Sequence, residues 1–321
     1  MQRRQLISAA ACAVAVPWAR AQGADKPIRI VVPFAPGGSG DLIPRMIAPG
    51  LADALSQPVI VDNRAGAGGS IGTTFVARAP TDGLTLGVAT VSTHGIYPAV
   101  MKIAPYDPIK EFVAVSNLAR VPNVVSVHPS VKAKDMKEFI ALARDPKALL
   151  DYGSPGVGSL GHMMGELFKQ ATQSYMLHIP YRGAGPALQD ALAGQIKVLF
   201  DNLPASLPSI KSGRLRALAV AWPQRLPQLP DVPTFAEVGL PSLNGPGWFG
   251  LVAPRDTPAP AVQRIQEAVA KVLAQASLRA RIEELGAAPL GGSSKDFAKD
   301  ILAEYTKWRA VAKAGGVSLE S

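Results

Sequence analysis

Residues 28–41 read IRIVVPFAPGGSGD, and this stretch decides how the rest of the chain is interpreted. The apolar run Ile28–Pro33 predicts a strand buried on both faces, as in a parallel sheet. Gly37-Gly38-Ser39-Gly40-Asp41 follows, and a helical pattern then extends to about Leu55. A glycine-rich turn between a buried strand and a helix directs backbone N–H groups toward an anion. The turn is neither G-x-G-x-x-G nor a P-loop with its lysine, which disfavours dinucleotides and nucleoside triphosphates.

The alternation of strands and helices continues along the chain and predicts an α/β fold. Further strands at Pro58–Val61 and Leu84–Ala89 give a βαβαβ unit, which is typical of a parallel sheet. A second series begins near residue 113, and helices dominate after residue 259. Periodicity alone fits two independent α/β domains. It also fits two lobes that hinge and close on a ligand, with Trp248–Val252 returning to complete the first lobe.

Two more glycine-rich loops open helices. Ile179–Ala187 reads IPYRGAGPA and repeats the order strand, glycine loop, helix, so it is a candidate anion loop on the other lobe. Ser154–His162 reads SPGVGSLGH and has the same character. We expect the Arg182 side chain to be solvent-exposed rather than paired with a carboxylate, since long charged side chains are mostly exposed.

Other chemistries find little support in the sequence. Gly68-Gly69-Ser70-Ile71-Gly72 matches G-x-S-x-G, but that motif needs its serine directly after a strand, and the predicted strand ends near Val61. We therefore interpret it as a helix start, with an α/β hydrolase as the enzymatic alternative. No metal is expected, because the histidines are scattered, at positions 94, 128, 162 and 178. Basic residues are not clustered, so nucleic acid is not an expected partner.

The N-terminus has the three regions of a cleaved secretory signal peptide, predicted at residues 1–21. Arg3 and Arg4 precede the apolar run Leu6–Val16, and Ala19-Arg20-Ala21 forms the cleavage site. Cleavage lowers the formal net charge from +9 to +6 and removes Cys12, the only cysteine. The mature protein is expected in the periplasm, and the sequence leaves open whether export follows the general or the twin-arginine route.

Several motifs together resemble the Bug family, the substrate-binding proteins of tripartite tricarboxylate transporters. The resemblance covers most of the chain and implies a two-lobed periplasmic-binding-protein fold of type II, a Venus flytrap in which each lobe is a mostly parallel sheet flanked by helices. It also implies a cleft for a small organic carboxylate, no cofactor and no catalysis. The motifs are 31–41 (VVPFAPGGSGD), 59–72 (VIVDNRAGAGGSIG), 82–86 (DGLTL), 106–108 (YDP), 156–162, 180–186 (PYRGAGP), 200–204 (FDNLP), 215–220 (LRALAV) and 229–239 (LPDVPTFAEVG).

The resemblance also implies where the ligand is held. One carboxylate lies between the first strand–helix loop and a matching loop of the other lobe, bound largely by backbone groups and water. The ligand-binding residues carried over are Phe34, Gly37, Gly38, Ser39 and Asp41 from the first loop, Tyr181, Gly183, Ala184 and Gly185 from the second, and Ser92, Thr93, Ser159 and Asp201 elsewhere. Pro44 departs from the family pattern and is expected to shorten the first turn of its helix.

The expected organisation is lobe I at 22–120 with 225–321 and lobe II at 121–224. The expected partners are a carboxylate ligand and either membrane permease subunits or a signalling sensor, and the protein is expected to be a monomer. The sequence does not identify the ligand, because the motifs that hold its carboxylate carry no information about the rest of the molecule.

Overall fold

The computed structural model describes residues 26–315 and residue 319. The predicted signal peptide, residues 1–21, lies outside the described residues. The strands are β1 (Ile28–Val32), β2 (Val59–Asn63), β3 (Thr85–Thr90), β4 (Phe112–Val121), β5 (Asn123–Val127), β6 (Asp151–Ser154), β7 (Leu177–Pro180), β8 (Val198–Asn202), β9 (Arg216–Ala221), β10 (Gly247–Pro254) and β11 (Ala288–Pro289). The helices are α1 (Ser39–Leu55), α2 (Ser70–Ala77), α3 (Tyr97–Val100), α4 (Met136–Ala143), α5 (Leu160–Thr172), α6 (Ala184–Leu192), α7 (Leu203–Lys211), α8 (Ala259–Leu273), α9 (Ala276–Glu284) and α10 (Ser294–Gly315).

The strands form two sheets, which define two lobes. Lobe I holds the sheet β11-β4-β10-β3-β1-β2, and lobe II holds the sheet β7-β6-β8-β5-β9. The predicted two-lobed α/β architecture is therefore confirmed. Both sheets are mixed. The strands of the βα units are parallel, whereas β5 and β10, which follow the crossings between lobes, run antiparallel to their neighbours.

Strand β1 shows why the apolar run 28–33 organises lobe I. Ile30 and Val32 pack with α1 and α8 on one face of the sheet. Val31 packs on the opposite face with Val76 of α2 and with α10. All three side chains are almost completely buried, as expected for a central strand covered by helices on both faces.

Two short segments connect the lobes. Pro122 separates β4 from β5, and the chain returns just before β10. The Asn123 side chain donates a 2.9 Å hydrogen bond to the Gly245 carbonyl, so the crossings lie side by side. Phe235, Leu240 and Leu243 belong to the core of lobe II. We therefore place the return at about residues 244–247, later than the expected 225.

Prolines account for two differences in the helices. Helix α7 is not among the predicted helices. Its Pro204 lies in the first turn, where the missing N–H of proline costs nothing, so the proline does not prevent the helix. Helix α1 contains Pro44 but continues from Ser39 to Leu55, so the expected shortening of its first turn does not occur. Pro44 is buried at the sixth position of the helix, beyond the first turn, so it leaves the junction with the glycine loop unchanged.

Candidate functional site

A cavity of about 30 Å³ lies between the lobes, with room for about two water molecules. The carboxyl ends of the βα strands and the helices that follow them meet there. Its lining residues are Phe34, Ala35, Gly38, Ser39, Gly40, Asp41, Thr90, Val91, Ser92, Gly247, Trp248 and Phe249 of lobe I, and Pro155, Leu160, Ala184 and Asn202 of lobe II.

The first glycine loop, residues 34–41, is held from within by Asp41. This carboxylate is 3% exposed, accepts a 3.1 Å hydrogen bond from the Gly37 N–H, and forms a 2.8 Å ion pair with Arg45. Asn63, at the end of β2, donates to the same carboxylate and to the Phe34 carbonyl. Gly37 has φ +88°, a conformation that favours glycine. Asp41 thus holds the loop in shape at the edge of the cavity.

The second glycine loop, residues 181–185, rests directly on the first. The Ala35 N–H donates a 3.0 Å hydrogen bond to the Arg182 carbonyl. A methyl group added to Gly38 would touch Ala184, and one added to Gly185 would collide with the Pro36 carbonyl. The sequence expectation that two glycine loops face each other across the cleft agrees with this geometry. The Arg182 side chain is exposed.

Unpaired backbone donors lie where these loops meet. The first N–H groups of any helix have no intrahelical acceptor. Four such N–H groups have no hydrogen-bond acceptor among the described residues: those of Ser39 and Gly40 in α1, and those of Ala184 and Gly185 in α6. Helix dipoles add positive potential at both ends. The junction of the two loops can therefore bind an anion.

Two serines of lobe I bind backbone groups of lobe II. The Ser39 hydroxyl accepts from the Ala205 N–H at 3.1 Å and donates to the Asn202 carbonyl at 2.9 Å. The Ser92 hydroxyl accepts from the Leu160 N–H at 3.0 Å. Both side chains therefore bind one lobe to the other.

Two of the candidate residues taken from motifs hold local structure instead of lining the cavity. Thr93 is fully buried, and its hydroxyl accepts from the Thr90 N–H while the Thr90 hydroxyl accepts from the Thr93 N–H. Ser159 caps helix α5 by accepting from the His162 N–H. Their hydroxyls therefore stabilise the turn at residues 90–93 and the start of α5.

Tyr181 and Asp201 also lie outside the lining. The Tyr181 hydroxyl donates a 2.7 Å hydrogen bond to Asp190, and burial together with this bond raises its pKa. Asp201 accepts from the Ser206 hydroxyl, and burial raises the pKa of its carboxyl to about 8. Three predicted glycines are not lining residues either but lie within the two glycine loops: Gly37, Gly183 and Gly185.

Sequence reasoning missed the wall supplied by β10. Gly247, Trp248 and Phe249 line the cavity from the strand that returns to lobe I. Within the described part of the chain, the Trp248 indole N–H has no acceptor, and the side chain is 7% exposed. The sequence NGPGWFG at residues 244–250, before the C-terminal helices, is the pattern that could have indicated this wall. Its place beside the cleft depends on antiparallel pairing with β3, which periodicity does not predict.

The alternative chemistries find no arrangement to support them in the described residues. Ser70 begins α2 and is separated from the end of β2 by residues 64–69, so it does not stand on a strand-to-helix elbow. No group of three or more His, Cys, Asp and Glu side chains within residues 26–315 is placed to hold a metal ion.

Comparison with known proteins agrees with this architecture. The sequence model of the TctC family, the tripartite tricarboxylate transporter family receptor, matches residues 43–317 of this chain. The chain belongs to this family. BugT of Bordetella pertussis is 34% identical over 296 residues, which cover 92% of this chain and 91% of BugT. The family consists of periplasmic solute-binding proteins, not of enzymes.

Solved structures show the same two-lobed fold. The periplasmic binding protein BugD superposes with a TM-score of 0.88 at 30% identity, over 92% of this chain and 99% of BugD. A R. palustris protein solved with adipate gives a TM-score of 0.86 at 37% identity, over 92% of this chain and 99% of the other. Among the helices of residues 26–315, none has the length and apolarity needed to cross a bilayer.

Proposed function

We propose that this protein captures a small organic carboxylate in the cleft between its lobes and delivers it to the membrane permease of a tripartite tricarboxylate transporter. The observation that carries the proposal is the meeting of two helix N-termini, α1 and α6, with unpaired N–H groups at an interlobe cavity. The family and the adipate held by a relative support the same ligand class. Capture and release require no covalent step, and the mature protein acts in the periplasm.

The proposed grip uses backbone groups of both lobes. The N–H groups of Ser39 and Gly40 approach the carboxylate from lobe I, and those of Ala184 and Gly185 approach it from lobe II. Hydrogen bonds to a charged group contribute about 1.5–3 kcal/mol each. Because both lobes contribute donors, the ligand stabilises the closed form relative to an open one.

The test is a thermal-shift screen of the mature protein against organic acids, with NAD and ATP as controls. We expect at least one acid to raise the melting temperature, since a ligand at about 100 times its Kd stabilises by about 2.7 kcal/mol. Native mass spectrometry should recover that acid chemically unchanged. Saturable binding of NAD or ATP without a response to any acid would contradict the proposal, and so would conversion of the acid.

A further inference from the structure

The lobes also meet at the loop of residues 155–158 in lobe II, which belongs to the motif SPGVGSLGH. A methyl group added to Gly68 of lobe I would collide with the Val157 carbonyl of this loop. One added to Gly158 would lie 3.0 Å from the Tyr97 ring of lobe I. Gly68 and Gly158 have φ +62° and +74°, a conformation that favours glycine. This contact between the lobes therefore depends on the backbone shape of the 155–158 loop.

Two histidines of lobe II hold the loop in that shape. The His162 Nδ1 accepts a 3.2 Å hydrogen bond from the Gly158 N–H, so the neutral ring carries its proton on Nε2. The Ser154 hydroxyl accepts from the Gly156 N–H at 3.2 Å, and its oxygen lies 2.6 Å from the His178 Nε2. The two imidazole rings stack with their centroids 4.1 Å apart. The support of the loop is therefore a pair of titratable rings in contact.

The surroundings of the histidine pair favour its neutral form. His162 is 6% exposed, whereas His178 on the edge strand β7 is half-buried and within reach of solvent protons. Burial lowers the pKa of both imidazoles, that of His178 to about 4. Two protonated rings in a stack would also repel each other. The pair is therefore uncharged at neutral pH.

The other charged and titratable groups around the pair come from α5, β6 and lobe I. Glu166 and Lys169 face it from α5 and form a 2.9 Å ion pair with each other. Tyr152 of β6 donates a 2.6 Å hydrogen bond to Glu166. From lobe I, the nearest ring to the loop is that of Tyr97. The negative charge of Glu166 thus offsets only part of the cost of charging a histidine, and burial prevails.

We propose that His162 is a positioning residue whose protonation releases the 155–158 loop and thereby favours separation of the lobes. A proton on Nδ1 would face the Gly158 N–H donor to donor, so the hydrogen bond between them would be lost. Without that bond, the loop no longer holds the conformation that fits against Gly68. The inference concerns the contact between the lobes and does not depend on which ligand the cleft holds.

The start of α5 transmits the change to a second contact between the lobes. Leu160 lies two residues after Gly158, and its N–H donates a 3.0 Å hydrogen bond to the Ser92 hydroxyl of lobe I. Ser159 between them caps α5 through the His162 N–H. Release of the loop therefore weakens the bond from Leu160 to lobe I as well.

Acid should favour release. A free loop leaves His162 near its ordinary pKa of 6.5, whereas the intact contact keeps that pKa lower, so the released form binds the proton more tightly. The closed contact is therefore fully stable above pH 6.5 and loses stability as the pH falls below that value. One proton shifts this equilibrium by up to about tenfold per pH unit, so we expect a shift of about tenfold or more between pH 7.5 and pH 5.

Hydrogen exchange of the mature, ligand-free protein, followed by NMR, tests both steps. The protection factor of the Gly158 N–H reports on the loop, and that of the Leu160 N–H reports on the bond between the lobes. After correction for the intrinsic exchange rate at each pH, both should fall by about tenfold or more from pH 7.5 to pH 5. His162→Asn keeps an acceptor in place of Nδ1 but does not titrate, so both factors should stay within about twofold.

His128 provides a matched control in the same lobe. Its Nδ1 also accepts a 3.2 Å hydrogen bond from a backbone N–H, that of Ser130, but its ring lies beside Gly194 rather than at the 155–158 loop. His128→Asn should leave the pH dependence at Gly158 and Leu160 as in wild type. Constant protection of both amides in wild type would overturn the inference, and so would a fall that persists in full in His162→Asn. A fall at Gly158 alone would show that loop release does not reach the lobes, which also overturns it.

Discussion

The two lobes each bury an aspartate beside their ligand-side loops, and the two residues behave differently. Asp41 in lobe I and Asp201 in lobe II are each 3% exposed. Asp41 accepts hydrogen bonds from the Gly37 N–H, Arg45 and Asn63. Asp201 accepts only from Ser206, and its Oδ2 has no partner among the described residues. Donors thus compensate the charge of Asp41, whereas burial raises the pKa of Asp201 to about 8.

The difference extends to the loops themselves. In lobe I, the Asp41 side chain ties the glycine loop to α1 and β2, so the loop has internal support in addition to its contacts with lobe II. In lobe II, Gly183 precedes α6 without any side-chain cap, and the Arg182 carbonyl is paired with Ala35 of the other lobe. We therefore expect the lobe I loop to keep its shape when the lobes separate, and the lobe II loop to depend more on the contact between lobes.

Removal of Asp41 should have the largest effect. Asp41→Ala leaves the Gly37 N–H and the Asn63 amide without their acceptor, so we expect a loss of about 3 kcal/mol in the free energy of unfolding. The anion position in lobe I would lose its shape, and affinity for any bound acid should fall by about a hundredfold or more. Urea denaturation and calorimetry measure the two effects. Normal stability and affinity in the variant would contradict a preformed loop.

The lobe II loop should instead respond to a change that blocks closure. Gly185→Ala places a methyl group against the Pro36 carbonyl, at a contact between the two lobes that separation of the lobes would relieve. We expect affinity to fall by about a hundredfold, whereas the melting temperature of the free protein changes little. Small-angle scattering should show that ligand no longer compacts the variant. Ligand-induced compaction equal to that of wild type would refute the role of this contact.

Sequence reasoning predicted the two glycine loops that meet between the lobes, because glycine spacing reports backbone shape directly. It did not predict the hydrogen-bond partners of individual side chains. Thr93 and Tyr181 follow strands, as binding residues do, yet Thr93 pairs with Thr90 and Tyr181 with Asp190. The wall at Trp248 and Phe249 depends on the antiparallel placement of β10, which no local pattern encodes. Strand–helix alternation therefore predicted the α/β class, the family resemblance predicted the two lobes, and neither predicted the β10 wall of the cavity.

The pKa of Asp201 predicts a smaller, pH-dependent effect on stability. An ordinary aspartate in the unfolded chain titrates near 3.8, so the folded state holds the extra proton between that pH and about 8. Stability from this group is fully present at low pH and is lost as pH rises through 8. Between pH 7 and 8.5, the free energy of unfolding should fall by about 1 kcal/mol.

Asp201→Asn should remove this fall, because an amide does not titrate. The window lies above the range in which His94 and His178 matter, since burial lowers their pKa values to about 3 and about 4. Urea denaturation of both proteins at pH 7 and pH 8.5 provides the measurement. An equal slope in wild type and variant would show that Asp201 is not the group responsible.

Arg182→Ala should have the smallest effect, although arginine is the residue type most often expected to hold a carboxylate. Its side chain is exposed and has no hydrogen bond or ion pair among the described residues, and the carbonyl that pairs with Ala35 survives the substitution. At 0.15 M salt, where charges are screened beyond about 8 Å, affinity should change by less than about twofold. In 0.01 M salt the screening length grows to about 30 Å, so the Arg182 charge acts over a longer range. The variant should then bind the ligand more slowly than wild type, with little change in its dissociation rate. Stopped-flow kinetics at both salt concentrations resolves the two rates. A tenfold faster dissociation at 0.15 M would mean that the arginine contacts the ligand and that the lobe II loop does not bind through its backbone alone.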